Sequence, residues 1–180
     1  MKFLRKILMV LAVLFVIPFI VALFMHKDYS VVREITLKKT KQEVFDFIRL
    51  LKNQDRYSKW ASIDSNMKKE YKGIDGTVGF ISAWDSDNNN VGKGEMEITQ
   101  IKEGERLDFV LHFMKPFEAI STAYMTTDSI SEKETKVKWG FNGHMNYPMN
   151  FLLLVCNMES MIGKDLQSGL DKLKTVLETK

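Results

Sequence analysis

Residues capable of acid–base or metal chemistry are few and scattered in this chain. The three histidines, His26, His112 and His144, lack the spacing of metal ligands. His144 and Glu159 could form an acid–base pair only if the fold brought them together. The sequence contains no G-x-S-x-G nucleophile motif, and its one glycine-rich segment lacks the lysine of a phosphate loop. We therefore predict no catalytic residue, no metal site and no cofactor.

Cysteine content and charge exclude further classes of function. The single cysteine, Cys156, cannot form an internal disulfide, and its apolar surroundings predict a buried, inert thiol. The chain has 26 Lys or Arg and 23 Asp or Glu, a net charge of +3. Residues 1–29 contribute four basic residues and one acidic residue, so the remainder is neutral. A neutral domain provides no electrostatic surface for nucleic acid.

The N-terminus contains an uncharged apolar run of 19 residues, Ile7 to Met25. Such a run is about long enough to cross a bilayer as one helix, and Pro18 is tolerated in a membrane helix. A cleaved signal peptide is the alternative, but the run exceeds a usual h-region and no A-x-A site follows it. We therefore predict an anchor over residues 1–28 and a separate domain over residues 29–180.

The orientation of this anchor is not fixed by charge, because basic residues lie on both sides of it. Lys2, Arg5 and Lys6 precede the apolar run, and a short basic N-terminus of this kind usually stays in the cytoplasm. We accordingly expect a single-pass membrane protein with its domain on the non-cytoplasmic side.

After residue 28 the pattern alternates between strand and helix signals. Tyr29–Leu37 is rich in β-branched residues and predicts a strand. Thr40 and Glu43 have capping-box spacing, and apolar residues at helical spacing follow them. Strands are then predicted in series for Thr77–Trp84, Gly94–Ile101, Leu107–Phe113 and Thr135–Gly143, with a less regular segment, Phe117–Thr127, before the last of them. Together they form an antiparallel meander with one covered face.

The C-terminal segment predicts the cover for that face. Pro148–Glu178 has no internal proline and reads as one helix of about 30 residues. Five residues form one apolar stripe along it: Ile162, Leu166, Leu170, Leu173 and Leu177. Methionines upstream of the stripe suit a surface that packs around variable shapes, but taken alone they favour the filling of an irregular core.

From Val31 to Lys174 the chain resembles the START-related SRPBCC superfamily, in its polyketide cyclase/dehydrase and lipid-transport branch. The matching segments occur in the family's order, and none is diagnostic alone. They are "EVFDFI", "YSKWAS", "GTVGFISAW", "GKGEMEI", "LHFMKPF", "KVKWGFNG" and "MESMIGKDLQSGLDKLK". The membrane segment lies outside the usual family domain.

The resemblance implies an α+β helix-grip fold, in which a curved antiparallel sheet wraps around a long C-terminal helix and leaves a cavity between them. It implies a hydrophobic or lipid-like small molecule as the partner. Alternation and helical spacing, together with the loop position of Trp60 over the presumed cavity mouth, then predict the ligand-binding side chains: Trp60, Phe80, Trp84, Met96, Phe109, Phe113, Trp139, Phe141, Met158, Met161 and Ile162.

The same superfamily includes enzymes and protein-binding members, so fold does not settle function. The main hypothesis is a membrane-tethered protein that binds or transports a hydrophobic molecule, with a monomeric soluble domain. One alternative is a cyclase or dehydratase acting in the same cavity. A second is a protein-docking or chaperone-cofactor module, which would have a filled core and an exposed apolar patch.

Overall fold

The first element is a long apolar helix, α1 (Lys2–Phe24), in a computed structural model that describes residues 2–179. That description leaves out Met1, Lys180 and the side chain of Lys2. Met1 is the first residue of the predicted anchor, and Lys180 is the last residue of the predicted domain. The 22 residues from Phe3 to Phe24 are long and apolar enough to cross a membrane, and they are almost entirely exposed. Nothing in the domain therefore buries this helix as a core element.

Seven strands follow and form one antiparallel sheet in the order β1-β7-β6-β5-β4-β3-β2. Apart from the terminal strand β1 joining β7, each strand pairs with its sequence neighbours, as in a meander. The strands are β1 (Asp28–Leu37), β2 (Lys68–Lys72), β3 (Ile81–Asp85), β4 (Lys93–Lys102), β5 (Arg106–Lys115), β6 (Ala119–Ser131) and β7 (Glu134–His144).

The predicted capping box begins helix α2 (Lys41–Arg49) as expected. The Thr40 hydroxyl accepts the Glu43 N–H, and the Glu43 carboxylate accepts the Thr40 N–H at 3.1 Å. These two bonds satisfy N–H groups that a helix start otherwise leaves unpaired. Two short 3₁₀ segments follow, Leu51–Arg56 and Trp60–Ser62, and they precede the edge strand β2.

The C-terminal segment differs from the prediction of one continuous helix from Pro148. It begins with a 3₁₀ turn (Met149–Phe151) and one helical turn, α3 (Leu152–Val155), and then breaks at Cys156. The long helix, α4, spans Met158–Glu178. Asn157 caps it, because its side-chain oxygen accepts the Ser160 N–H at 2.9 Å.

The core lies between the concave face of the sheet and the helices. From the predicted stripe, Leu166, Leu170 and Leu173 are buried, and Ile162 and Leu177 pack at its margin. Helix α4 runs closest to β1, whereas α2 faces β6 and β7. The far side of the concave face, toward β3 and β4, is therefore less completely covered by α4.

One strand begins later than its alternation predicted. Thr77–Trp84 was expected to be extended throughout, but β3 starts at Ile81. Residues 77–80 form a turn instead, closed by a hydrogen bond from the Phe80 N–H to the Thr77 carbonyl, and Gly79 in this turn has φ +85°. Positive φ is a conformation that glycine adopts without steric cost, so Val78 leaves the strand face and is exposed.

Candidate apolar ligand site

The strand register places most of the predicted site residues on one face in successive cross-strand rows. In the first row Phe141 pairs with Ala123, Ala123 with Phe109, and Phe109 with Ile98. Ala123, Phe109 and Ile98 are buried, whereas Phe141 is partly exposed and packs at the core margin. This row is therefore covered at its centre and partly open only at Phe141.

A second row lies nearer to α1. Here Ser121 pairs with Leu111, Leu111 with Met96, and Met96 with Ser82. Leu111 and Met96 are half-buried, although both face the concave side. We name this end of the sheet the α1 end, because the start of β1, the end of β7 and the β5–β6 hairpin meet there.

Trp84 and Phe113 form the next row and border the site at the α1 end. Their ring centroids are 6.0 Å apart in an edge-to-face arrangement. Gly94 lies under the indole, because a Cβ placed there would lie 2.6 Å from Trp84 Cζ2. The indole N–H donates to the Val91 carbonyl at 3.3 Å, which fixes the ring in that position.

Trp139 lies farther from α1 and is packed directly rather than facing a gap. Its ring is 5.8 Å from that of Tyr57 and 6.5 Å from that of Trp60. Gly169 of α4 lies against it, since a Cβ there would be 2.7 Å from Trp139 Cζ3. The half of the concave face around Trp139 is therefore filled by side chains, and accessible apolar surface is concentrated at the α1 end.

The remaining predicted site residues have different environments. Phe80 is fully buried and stacks on Tyr71, with centroids 6.1 Å apart. Ile162 and Met158 are half-buried on α4. Met161 is 59% exposed, so α4 does not turn it into the core.

A charged residue that sequence reasoning missed lies beside these apolar rows. Arg33 occupies the same cross-strand row as Trp139, and its guanidinium crosses to α4 over Gly163. It donates to the Glu159 carbonyl at 3.2 Å and pairs with the Glu159 carboxylate at 2.7 Å. The signal available in the sequence was an arginine in phase with the inward residues Val31 and Ile35.

The conceivable acid–base pair of His144 and Glu159 is not formed. Glu159 pairs with Arg33, whereas His144 Nδ1 lies 2.6 Å from Asp28 and Nε2 lies 3.2 Å from Asn146. His144 and Asp28 border a groove of about 500 Å³ between the ends of β1, β6 and β7. This groove also includes Ser30 and Thr122, which are exposed.

Two tyrosines have raised pKa values: Tyr57 is buried, whereas Tyr71 is 36% exposed. Burial raises the pKa of Tyr57 well above its ordinary value, and its hydroxyl lies 3.6 Å from Met125 Sδ. Burial, followed by the hydrogen bond to Asp55, raises the pKa of Tyr71 to about 12. Within residues 2–179 no three His, Cys, Asp or Glu side chains converge as metal ligands.

Comparison with solved structures identifies the fold class. Norcoclaurine synthase from Thalictrum flavum, in complex with dopamine and hydroxybenzaldehyde, matches with a TM-score of 0.65 at 12% identity, over 89% of this chain and 93% of that one. A Mesorhizobium loti protein matches with a TM-score of 0.60 at 14% identity, over 84% and 98% of the two chains.

Ara h 8.0201 matches with a TM-score of 0.56 at 11% identity, over 85% of this chain and 99% of that one. No family model matches the sequence, and no curated protein matches it. At these identities the structural likeness shows the fold alone. The chain has the helix-grip fold that the family resemblance implied, preceded by an apolar N-terminal helix.

Proposed function

We propose that this chain is a membrane-tethered member of the SRPBCC superfamily that binds a hydrophobic or lipid-like small molecule on the concave face of its sheet. The observation that carries this proposal is the half-buried apolar surface at the α1 end, formed by Leu111, Met96, Phe113, Trp84 and Phe141. Large apolar side chains left partly exposed in a concavity favour occupation by an apolar ligand.

The position of the surface supports the tethered form of the proposal. Helix α1 ends at Phe24 and β1 begins at Asp28, so at most three residues separate a candidate membrane span from this end of the sheet. Apolar ligands concentrate in a bilayer. A site held at that end takes up and releases such ligands over a short distance.

The polar side chains around the site favour binding over a reaction. Among the described residues, Arg33 and Glu159 neutralise one another, and Ser82 and Ser121 are the hydroxyls of the second row. Norcoclaurine synthase has a similar fold and is, by its name, an enzyme. A cyclase or dehydratase is therefore retained as the alternative, and it would require an acid or base within reach of the bound ligand.

The proposal is tested by mass spectrometry of lipids that copurify with the full chain and with two variants. Ser82→Phe places a ring in the second row beside Met96, and we expect it to abolish the enrichment of one copurifying lipid over the composition of the bulk membrane. Ser30→Phe adds the same ring on the outer face, in the groove beside His144, and should retain it. If Ser30→Phe lost the enriched lipid and Ser82→Phe retained it, the ligand would lie in the outer groove and the proposal would be contradicted.

A further inference from the structure

At the α1 end, the domain has a set of apolar side chains that are not buried in the core. In the segment after β7, Tyr147, Met149, Leu154 and Val155 are exposed, and Val155 is 73% exposed. The chain from Met145 to Met158 contains no charged residue. An uncharged apolar segment of this length on a surface requires a partner.

A second group of exposed apolar residues lies at the same end. The β5–β6 hairpin presents Met114, Phe117 and Ile120, and Phe117 is 78% exposed. The register brings this hairpin level with the end of β7, since Phe113 pairs with Ala119 and Thr122 pairs with Asn142. Two separate chain segments thus place apolar side chains at one end of the sheet.

Helix α1 is joined to this surface by hydrogen bonds. The buried Asn150 side chain donates to the Ala22 carbonyl at 2.7 Å and to the Met25 carbonyl at 3.4 Å. Ala22 is itself buried, and the Met145 N–H donates to the Lys27 carbonyl. The last turn of α1 is therefore attached to the segment around Asn150 rather than connected by a free linker.

We propose that this surface, formed by residues 147–155 and the hairpin tip 114–120, lies in the interfacial layer of the bilayer that α1 spans. This inference rests on the membrane anchoring in the proposed function. A spanning α1 places its last turn at the membrane boundary, and Asn150 holds the 147–155 segment at the same depth. Tyr147 is an aromatic residue of the kind enriched at that boundary, and Phe117 adds an exposed apolar ring to the same surface.

The bilayer is the occupant that the position of α1 favours, because the helix that would span it is hydrogen-bonded to this surface. Lys27 and Lys115 are exposed at the same end and can reach lipid phosphates while the apolar side chains lie deeper, and Asp28 and Glu118 are exposed beside them. The docked orientation also turns the second and third rows of the ligand site toward the membrane.

The test uses the full chain with Cys156→Ser in phosphatidylcholine vesicles, with an environment-sensitive fluorophore on one introduced cysteine. Val155→Cys reports on the proposed surface and Leu14→Cys on the middle of α1. Lys133→Cys, in the exposed β6–β7 turn at the opposite end, is the control. Quenching is measured with lipids spin-labelled near the headgroup or near the end of the acyl chain.

We expect the Val155 label to lose most of its fluorescence to the headgroup-proximal quencher, the Leu14 label to the deep quencher, and the Lys133 label to neither. Quenching at Leu14 without quenching at Val155 would overturn this inference and leave the anchor intact. Absence of quenching at Leu14 would overturn the anchor and this inference with it. A Phe117→Cys label must agree with Val155→Cys, which guards against a local effect of one substitution.

Discussion

Two glycines on α4 have different neighbours, and that difference can be measured. Gly169 lies against the ring of Trp139, which is 5% exposed and held by Tyr57, so the ring cannot move away. Gly163 lies against the end of the Arg33 side chain, which can swing toward solvent. The first close approach is rigid, and the second is not.

We therefore expect Gly169→Ala to lower the free energy of unfolding by about 1–3 kcal/mol through overpacking, partly offset by better helix propensity. Gly163→Ala should be close to neutral, because it gains helix propensity and costs only a displaced arginine. Urea denaturation of both variants provides the comparison. Equal destabilisation would show that Arg33 is as firmly fixed as Trp139.

Residue types explain why part of the face that carries the candidate site could be predicted from the sequence. Alternation along β5 and β7 placed Phe109, Phe113, Trp139 and Phe141 on one face, because successive side chains of a strand point to opposite sides. Alternation cannot tell a filled row from an open one. The space around Trp139 is filled by Gly169 and Tyr57, and these contacts join segments that are distant in the sequence.

At the scale of elements, the capping box of α2 gives a pH prediction. The hydrogen bonds of Thr40, with a smaller contribution from Lys39, lower the pKa of Glu43 below its ordinary value. A carboxyl with a lowered pKa stabilises the fold above its unfolded pKa, and this contribution is lost as the pH falls through the folded pKa.

Glu43→Gln should therefore weaken the loss of stability between neutral pH and about pH 3. The measurement is the urea midpoint of each protein across that range. Other carboxyls with lowered pKa, such as those of Asp64 and Asp85, should preserve the rest of the acid dependence in both proteins. An unchanged pH profile in the variant would refute this role of Glu43.

The cover helix gives a second prediction at this scale. Leu170 is fully buried against the sheet, so Leu170→Ala should lower the free energy of unfolding by about 2–5 kcal/mol. Lys164 is exposed on the same helix, and Lys164→Ala should change it by no more than about 0.5 kcal/mol. Chemical denaturation compares them, and similar losses would argue against α4 as a one-sided cover.

The break before α4 was the main error about an element. Apolar residues from Phe151 to Val155 continue the helical pattern, so periodicity alone extends the helix to Pro148. The missed signal was Asn157, a favoured N-cap residue in the middle of an apolar run. Of the side chains just before the break, Leu154 and Val155 are exposed, whereas Phe151, Leu152 and Leu153 are half-buried.

At the scale of the whole molecule, the candidate ligand site and the apolar helix share one end of the sheet. The meander and the long cover helix were predicted from alternation and the family resemblance, whereas the pairing of β1 with β7 was not. The exposure of Met161 could not be predicted, because a helical residue near the edge of the apolar stripe can face either the core or solvent. The position of the open rows relative to α1 depends on how the registers of all seven strands combine, and hydrophobic pattern and turn geometry set each register only between neighbouring strands.

The central claim, that an apolar ligand occupies the concave face at the α1 end, is tested most directly by photocrosslinking. The full chain in vesicles is exposed to a fatty acid bearing a diazirine at its tail, and the modified residues are mapped by mass spectrometry. We expect crosslinks in β4 and β5 at Met96 and Leu111, and their loss in Ser82→Phe. Crosslinks confined to α1, with none in β4 or β5, would contradict the claim.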